Sequence, residues 1–124
     1  MREVQPHLTA IYALADACLR EQAAVLTVEQ VNVLQTILTN AQHCIGLIPV
    51  LDELRRKQGH VAAVTQMSTE WRTPLTSILG YCQIGRDDMG RSAPIAFGEA
   101  LTQIQDHTKA VWNWSTPNDF AQLT

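Results

Sequence analysis

Basic residues are scarce in this 124-residue chain: nine Lys and Arg stand against twelve Asp and Glu, a net charge of -3. Nucleic acid therefore has no electrostatic footprint to follow, and the one cationic cluster, Arg55-Arg56-Lys57, reads as the solvated end of a helix. Cysteine is equally sparse. Cys18, Cys44 and Cys82 are odd in number, form no Cys-x-x-Cys pair and sit inside apolar helical patterns, which excludes a disulfide framework and points to reduced core thiols in a cytoplasmic protein. No two His or Cys residues fall three or four apart, so no single helix offers a pair of metal ligands, and neither metal nor cofactor is expected. No apolar run approaches the ~18 residues of a membrane span. The stretch from Leu8 to Leu19 is broken by Asp16 and is amphipathic, unlike a signal peptide, so direct membrane insertion is not expected. Six glycines, five prolines and 6% aromatics are too few for a strand-rich sandwich or a disordered tail. What remains is one domain rich in helix-compatible residues, with 46% of the chain hydrophobic and no room expected for a second, catalytic domain.

The apolar residues recur with helical spacing. Leu8, Ile11, Tyr12, Ala15, Cys18 and Leu19 share one face of a first helix, predicted over residues 5 to 23. Thr27 followed by Gln30 is a capping-box signature for a second helix reaching about residue 57, with Val31, Leu34, Leu38, Ala41, Ile45 and Ile48 as its seam. Pro49 lies inside it and predicts a kink without a stop. Gly59 marks a turn. A third helix, residues 61 to 88, follows with a seam of Val61, Val64, Ser68, Trp71, Leu75, Ile78 and Cys82. Met89-Gly90-Arg91-Ser92 is the second hairpin connection, and Phe97, Leu101, Ile104, Thr108, Val111 and Ser115 line a fourth helix closed by Pro117. Four amphipathic helices with short joints predict an all-α antiparallel four-helix bundle.

The two halves align without a gap at a constant offset. Glu3 matches Glu70, Leu8 Leu75, Thr9 Thr76, Ile11 Ile78, Leu34 Leu101 and Ile37 Ile104, an offset of 67 (75 minus 8). The single domain accordingly divides into a first helical hairpin, residues 1 to 58, a second, 59 to 116, and a tail, 117 to 124.

The most specific motif lies in the second hairpin, where Ser68-Thr69-Glu70-Trp71-Arg72-Thr73-Pro74-Leu75-Thr76 is followed by Ile78-Leu79-Gly80-Tyr81. It resembles the H-box helix of the HisKA-type dimerisation and phosphotransfer domain of bacterial sensor histidine kinases, whose motif reads roughly Ser-His-Glu-Leu-Arg-Thr-Pro-Leu-Thr. Thr69 occupies the place of the phospho-accepting histidine and Trp71 that of a leucine. The resemblance covers residues 61 to 115. Leu34, Ile37, His43, Ile45, Leu47, Ile48, Leu51 and Leu54 resemble the family's second helix, where His43 would be a packing residue, so the first two helices form a more eroded hairpin. In the family the two hairpins come from two subunits. Here one chain is expected to supply both, as a pseudo-dimeric monomer, with a homodimer as the alternative.

The resemblance implies signalling without the chemistry. A threonine hydroxyl is a poor nucleophile without a positioned base, and a phosphothreonine ester is too stable to relay a phosphoryl group. Arg2 stands at the matching place of the first hairpin. The asparagine box and glycine-rich segments of the kinase's ATP-binding domain are absent, and Gly80-Tyr81-Cys82-Gln83-Ile84-Gly85 copies a phosphate loop in glycine spacing only. Among His7, His43, His60 and His107, none carries the His-x-x-Lys-Gly pattern of a phosphotransfer bundle, although His107, ahead of Lys109, comes nearest. The expectation is a non-catalytic adaptor that binds a response-regulator receiver domain or a histidine kinase. Its docking residues, by resemblance, are Trp71, Arg72, Ile78, Tyr81 and Cys82. Two alternatives stand: a receiver-aspartate phosphatase using Glu70 and Thr73, which the resemblance pairs for orienting water, and a purely structural assembly bundle.

Overall fold

The expected helices form, in five pieces rather than four. The computed structural model describes residues 2 to 88 and 93 to 116; the expected connection at 89 to 92, Pro117 and the tail lie outside the described residues. Helix α1, Gln5–Glu21, carries Pro6 in its first turn, where the missing N–H costs nothing. Helix α2, Val28–Gln58, opens on the expected capping box: the Gln30 amide donates to Thr27 Oγ1 at 3.1 Å and the Thr27 amide donates to Gln30 Oε1 at 2.9 Å. Its 31 residues run through Pro49 without ending. Gly59 then takes φ +88, a backbone state that favours glycine, and ends the helix.

The helix predicted over residues 61 to 88 is divided into α3, His60–Gln66, and α4, Ser68–Asp88. The interruption is at Met67, with φ -98 and ψ 14. Helical hydrogen bonds still cross it, from the Met67 amide to Ala63 O at 3.0 Å and from the Trp71 amide to Met67 O at 2.9 Å. No glycine or proline marks that point, and the apolar seam continues through it, which is why the pattern reads as one helix. Helix α5, Ile95–Ser115, starts after Pro94.

The four long helices form an all-α bundle. α1 packs on α2 and α5, and α4 packs on the same two. Glu3 meets Arg55 at 3.8 Å, joining the start of α1 to the end of α2, while Arg72 reaches the Ser115 carbonyl at 3.4 Å, joining the start of α4 to the end of α5. These pairings follow the pattern of an antiparallel bundle. Among the described residues, no helix is long and apolar enough to cross a membrane.

Burial repeats along the chain more faithfully than identity does. The buried positions of α1 are 4, 8, 11, 15 and 18 when Val4, which precedes the helix, is included; those of α4 include 71, 75, 78, 82 and 85. Each differs by 67 (71 minus 4). In α2 the positions 30, 33, 34, 37, 41, 44 and 48 are buried, and in α5 the positions 97, 100, 101, 104, 108, 111 and 115, again 67 apart. Both helices of each hairpin thus keep one register. The seam expected for α2 needs correction: Val31, Leu38 and Ile45 are half-buried, while Val33, Ile37 and Cys44 fill the core. Val61 is 53% exposed, another departure from its expected seam position. Gln30 is fully buried because the capping box satisfies its side-chain oxygen.

Two glycines give opposite expectations. Gly46 is exposed in the middle of α2, and a Cβ there meets nothing within 4 Å, so Gly46→Ala should stabilise by about 0.5–1 kcal/mol through helix propensity. At Gly85 the same Cβ would stand 2.6 Å from Leu101 Cδ1 and 3.4 Å from Phe97 Cζ and Val33 Cγ1. Leu101 is fully buried, and the overpacking cost of about 1–3 kcal/mol outweighs the propensity gain. Urea midpoints should move in opposite directions; equal stabilisation by both would show that the Gly85 seam is loose.

Candidate functional site

Helix α4 presents a hydroxyl-rich outer face. Ser68, Thr69, Arg72, Thr73, Thr76 and Ser77 line an open groove of about 540 Å³. The side chains recur every four residues, so they form adjacent rows on one side of the helix. Thr69, Glu70, Thr73 and Thr76 are exposed, and Ser68, Arg72 and Ser77 are half-buried. Thr73 Oγ1 donates to the Thr69 carbonyl at 2.6 Å, one turn back. Its proton is therefore committed to its own helix, which leaves the hydroxyl only its acceptor capacity toward a ligand. Pro74 is buried inside α4 and leaves the Glu70 carbonyl without a helical donor.

The five residues expected to dock a partner divide. Trp71 is 1% exposed, and Ile78 and Cys82 are fully buried, so these three face the core and are corrected from docking positions to packing positions. Their spacing, 71 to 75 to 78 to 82, is the seam itself, and a helix cannot turn the same stripe both inward and outward. Arg72 and Tyr81 are half-buried at the edge of that seam. The exposed positions are the neighbours Thr69, Thr73 and Thr76, which the same periodicity could have picked out.

Behind the groove lies a cluster of rings and cations. The Arg72 guanidinium stands 5.3 Å from the Trp112 ring centre, with a buried Nε that has no hydrogen-bond partner, and Trp71 Nε1 is likewise buried and unpartnered. Trp71 and Trp114 lie 6.2 Å apart, and Arg55 sits 5.1 Å above Trp114. Arg55 Nε donates to His60 Nδ1 at 3.1 Å, so His60 Nε2 carries the proton and donates to the Trp114 carbonyl at 3.1 Å. Arg55, expected in a solvated cluster, is thus half-buried among partners, whereas Arg56 and Lys57 are exposed. The Glu3 carboxyl is held below its ordinary value, first by a backbone hydrogen bond and then by Arg55.

The remaining histidines are placed differently from expectation. His43 is exposed on α2, not packed. His7 and His107 meet across α1 and α5 with their Nδ1 atoms 2.9 Å apart. Their separation of 100 positions hid the pair from any local motif search. Among the described residues, no group of three or more His, Cys, Asp or Glu side chains is arranged to hold a metal ion. Burial pushes the Cys44 and Cys82 thiols up to about 12, and raises Cys18 as well, so all three remain protonated packing groups at neutral pH.

No protein family, curated protein or solved structure matches the chain. The class defined by its own geometry is an all-α helical bundle with an open hydroxyl-lined face on α4.

Proposed function

We propose that the chain is a non-catalytic, HisKA-like adaptor whose α4 face docks a receiver domain without accepting phosphate. The observation that carries this reading is the burial register shared by both halves at an offset of 67, because two equivalent hairpins in one chain match the two subunits that build the family's bundle. The groove around Thr69 and Thr73 lies on the segment of α4 whose sequence resembles the H-box, is open to a partner, and offers hydroxyls and one guanidinium, which supports docking without phosphate acceptance. The Thr73 hydroxyl, which donates to its own helix, is poorly disposed to orient a hydrolytic water, so docking is favoured over dephosphorylation.

The test is calorimetric titration of the full chain with a panel of receiver domains, free and beryllofluoride-activated. At least one should bind with no phosphoryl transfer to the chain. Thr76→Arg, an exposed change inside the groove, should weaken that binding about tenfold, equivalent to about 1.4 kcal/mol, while leaving the helical signal unchanged. A complex insensitive to Thr76→Arg would remove α4 as the docking face, and a panel with no binder would count against the adaptor reading itself.

A further inference from the structure

His7 on α1 and His107 on α5 face each other with Nδ1 to Nδ1 at 2.9 Å. At that distance one ring must donate and the other accept, so one Nδ1 carries the proton and the lone pair of the other receives it. We propose that this pair is a chelating site for an imidazole-preferring divalent transition-metal ion, copper(II) foremost and zinc after it, which clips α1 to α5.

The adjustment the ion requires is a reorientation of the two rings, with little change in the separation of their nitrogens. Two metal–nitrogen bonds of about 2.0 Å at the right angle of tetragonal copper(II) place the nitrogens roughly 2.8 Å apart, and the tetrahedral angle of zinc places them roughly 3.3 Å apart. The donor ring moves its proton from Nδ1 to Nε2, so that both Nδ1 lone pairs are free for the ion. The ring centres are 5.2 Å apart and the planes are inclined by 51°, so the imidazoles meet nearly end to end without stacking, and each swings about its side-chain torsions to aim Nδ1 at a common ion. Both side chains are half-buried, which gives the ion access and leaves space for waters to complete its shell. Copper(II) heads the affinity order for nitrogen ligands, with zinc below it.

The internal repeat sets the pair apart. Moving 67 positions from His7 reaches Pro74, and moving back 67 from His107 reaches Asn40. Asn40 Nδ2 donates to the Thr36 carbonyl at 2.8 Å within its own helix, so the equivalent seam between α4 and α2 has no such bridge. The imidazole pair is therefore a departure confined to one of two otherwise matched interfaces. Other soft ligands are poorly placed to compete: the cysteines are buried and protonated, and both ring nitrogens of His60 are engaged.

The experiment adds copper(II) or zinc chloride to the full chain in chelator-free buffer, following thermal unfolding and the copper electron paramagnetic resonance spectrum. Either ion should raise the unfolding temperature, because it binds the native arrangement and not the unfolded chain. The copper spectrum should report two bound imidazole nitrogens. His7→Gln and His107→Gln should each abolish both responses, and the double substitution should do no more than either single one, since a chelate needs both rings. His43→Gln should leave them unchanged. An unfolding temperature and spectrum indifferent to both ions would overturn the proposal, as would single variants that keep the wild-type response. The two-nitrogen signature is read on the unsubstituted chain, so a variant that fails to fold does not protect the idea.

Discussion

Trp71→Ala is expected to lower the unfolding free energy by about 3–5 kcal/mol, a large part of the whole for a domain of this size. The indole is 1% exposed and packs near Trp114 at the end of the bundle where Arg55, His60 and Arg72 gather. Truncation removes the largest apolar surface in that layer and leaves a cavity bounded by helices that cannot close over it. Trp71→Phe separates volume from polarity. It keeps most of the ring packing and discards Nε1, a buried donor with no partner, whose desolvation costs about 1–3 kcal/mol in the native state. The phenylalanine variant should therefore fall far less than the alanine one, and guanidinium unfolding followed at 222 nm reads both. An alanine variant within 1 kcal/mol of wild type would return Trp71 to the surface, and with it the idea that this residue anchors a partner.

The all-α class, the capping box at Thr27 and Gln30, the glycine joint and the seam of α5 apart from Ala100 were legible in the sequence, because each is a local signal: a period, a cap or a backbone preference. The α2 seam was legible only in part. That helix carries apolar residues on nearly every side, so Val31, Leu38 and Ile45 fit a heptad as well as Val33, Ile37 and Cys44 do, and only the neighbours decide which set is innermost. The same limit misplaced the docking residues. The resemblance that points to Trp71, Ile78 and Cys82 locates a helix but not its rotation, whereas their own seam spacing points them inward. The break at Met67 has no sequence marker, and the meeting of His7 with His107 depends on the packing of α1 against α5, which no local pattern encodes.

Separating the chain after Gln58 should leave two fragments, 1 to 58 and 59 to 124, that fold together and poorly alone. The cut falls at Gly59, an exposed joint with φ +88. Each fragment alone exposes its full seam, and the shared register allows it to pair with a copy of itself. The layers favour the mixed pair. Val33 lies against Gly85, where an added Cβ would meet Val33 Cγ1 at 3.4 Å, while the equivalent positions Ala100 and Cys18 line a common pocket of about 160 Å³. In the whole chain the larger side chain faces glycine and the smaller one faces cysteine. A homodimer of the second fragment would set Ala100 against Gly85 twice and open voids, at about 0.8 kcal/mol for each missing methylene; one of the first fragment would set Val33 against Cys18 twice and crowd the seam. The stack of Arg55 on Trp114 and the bond from Arg55 to His60 also join one fragment to the other. Mixing should therefore raise helicity above the sum of the separate spectra and yield a one-to-one complex by light scattering. Two fragments that each form a stable homodimer, with spectra that add on mixing, would show that the halves are interchangeable and that the cross-packing of Val33 and Gly85 does not select the partner.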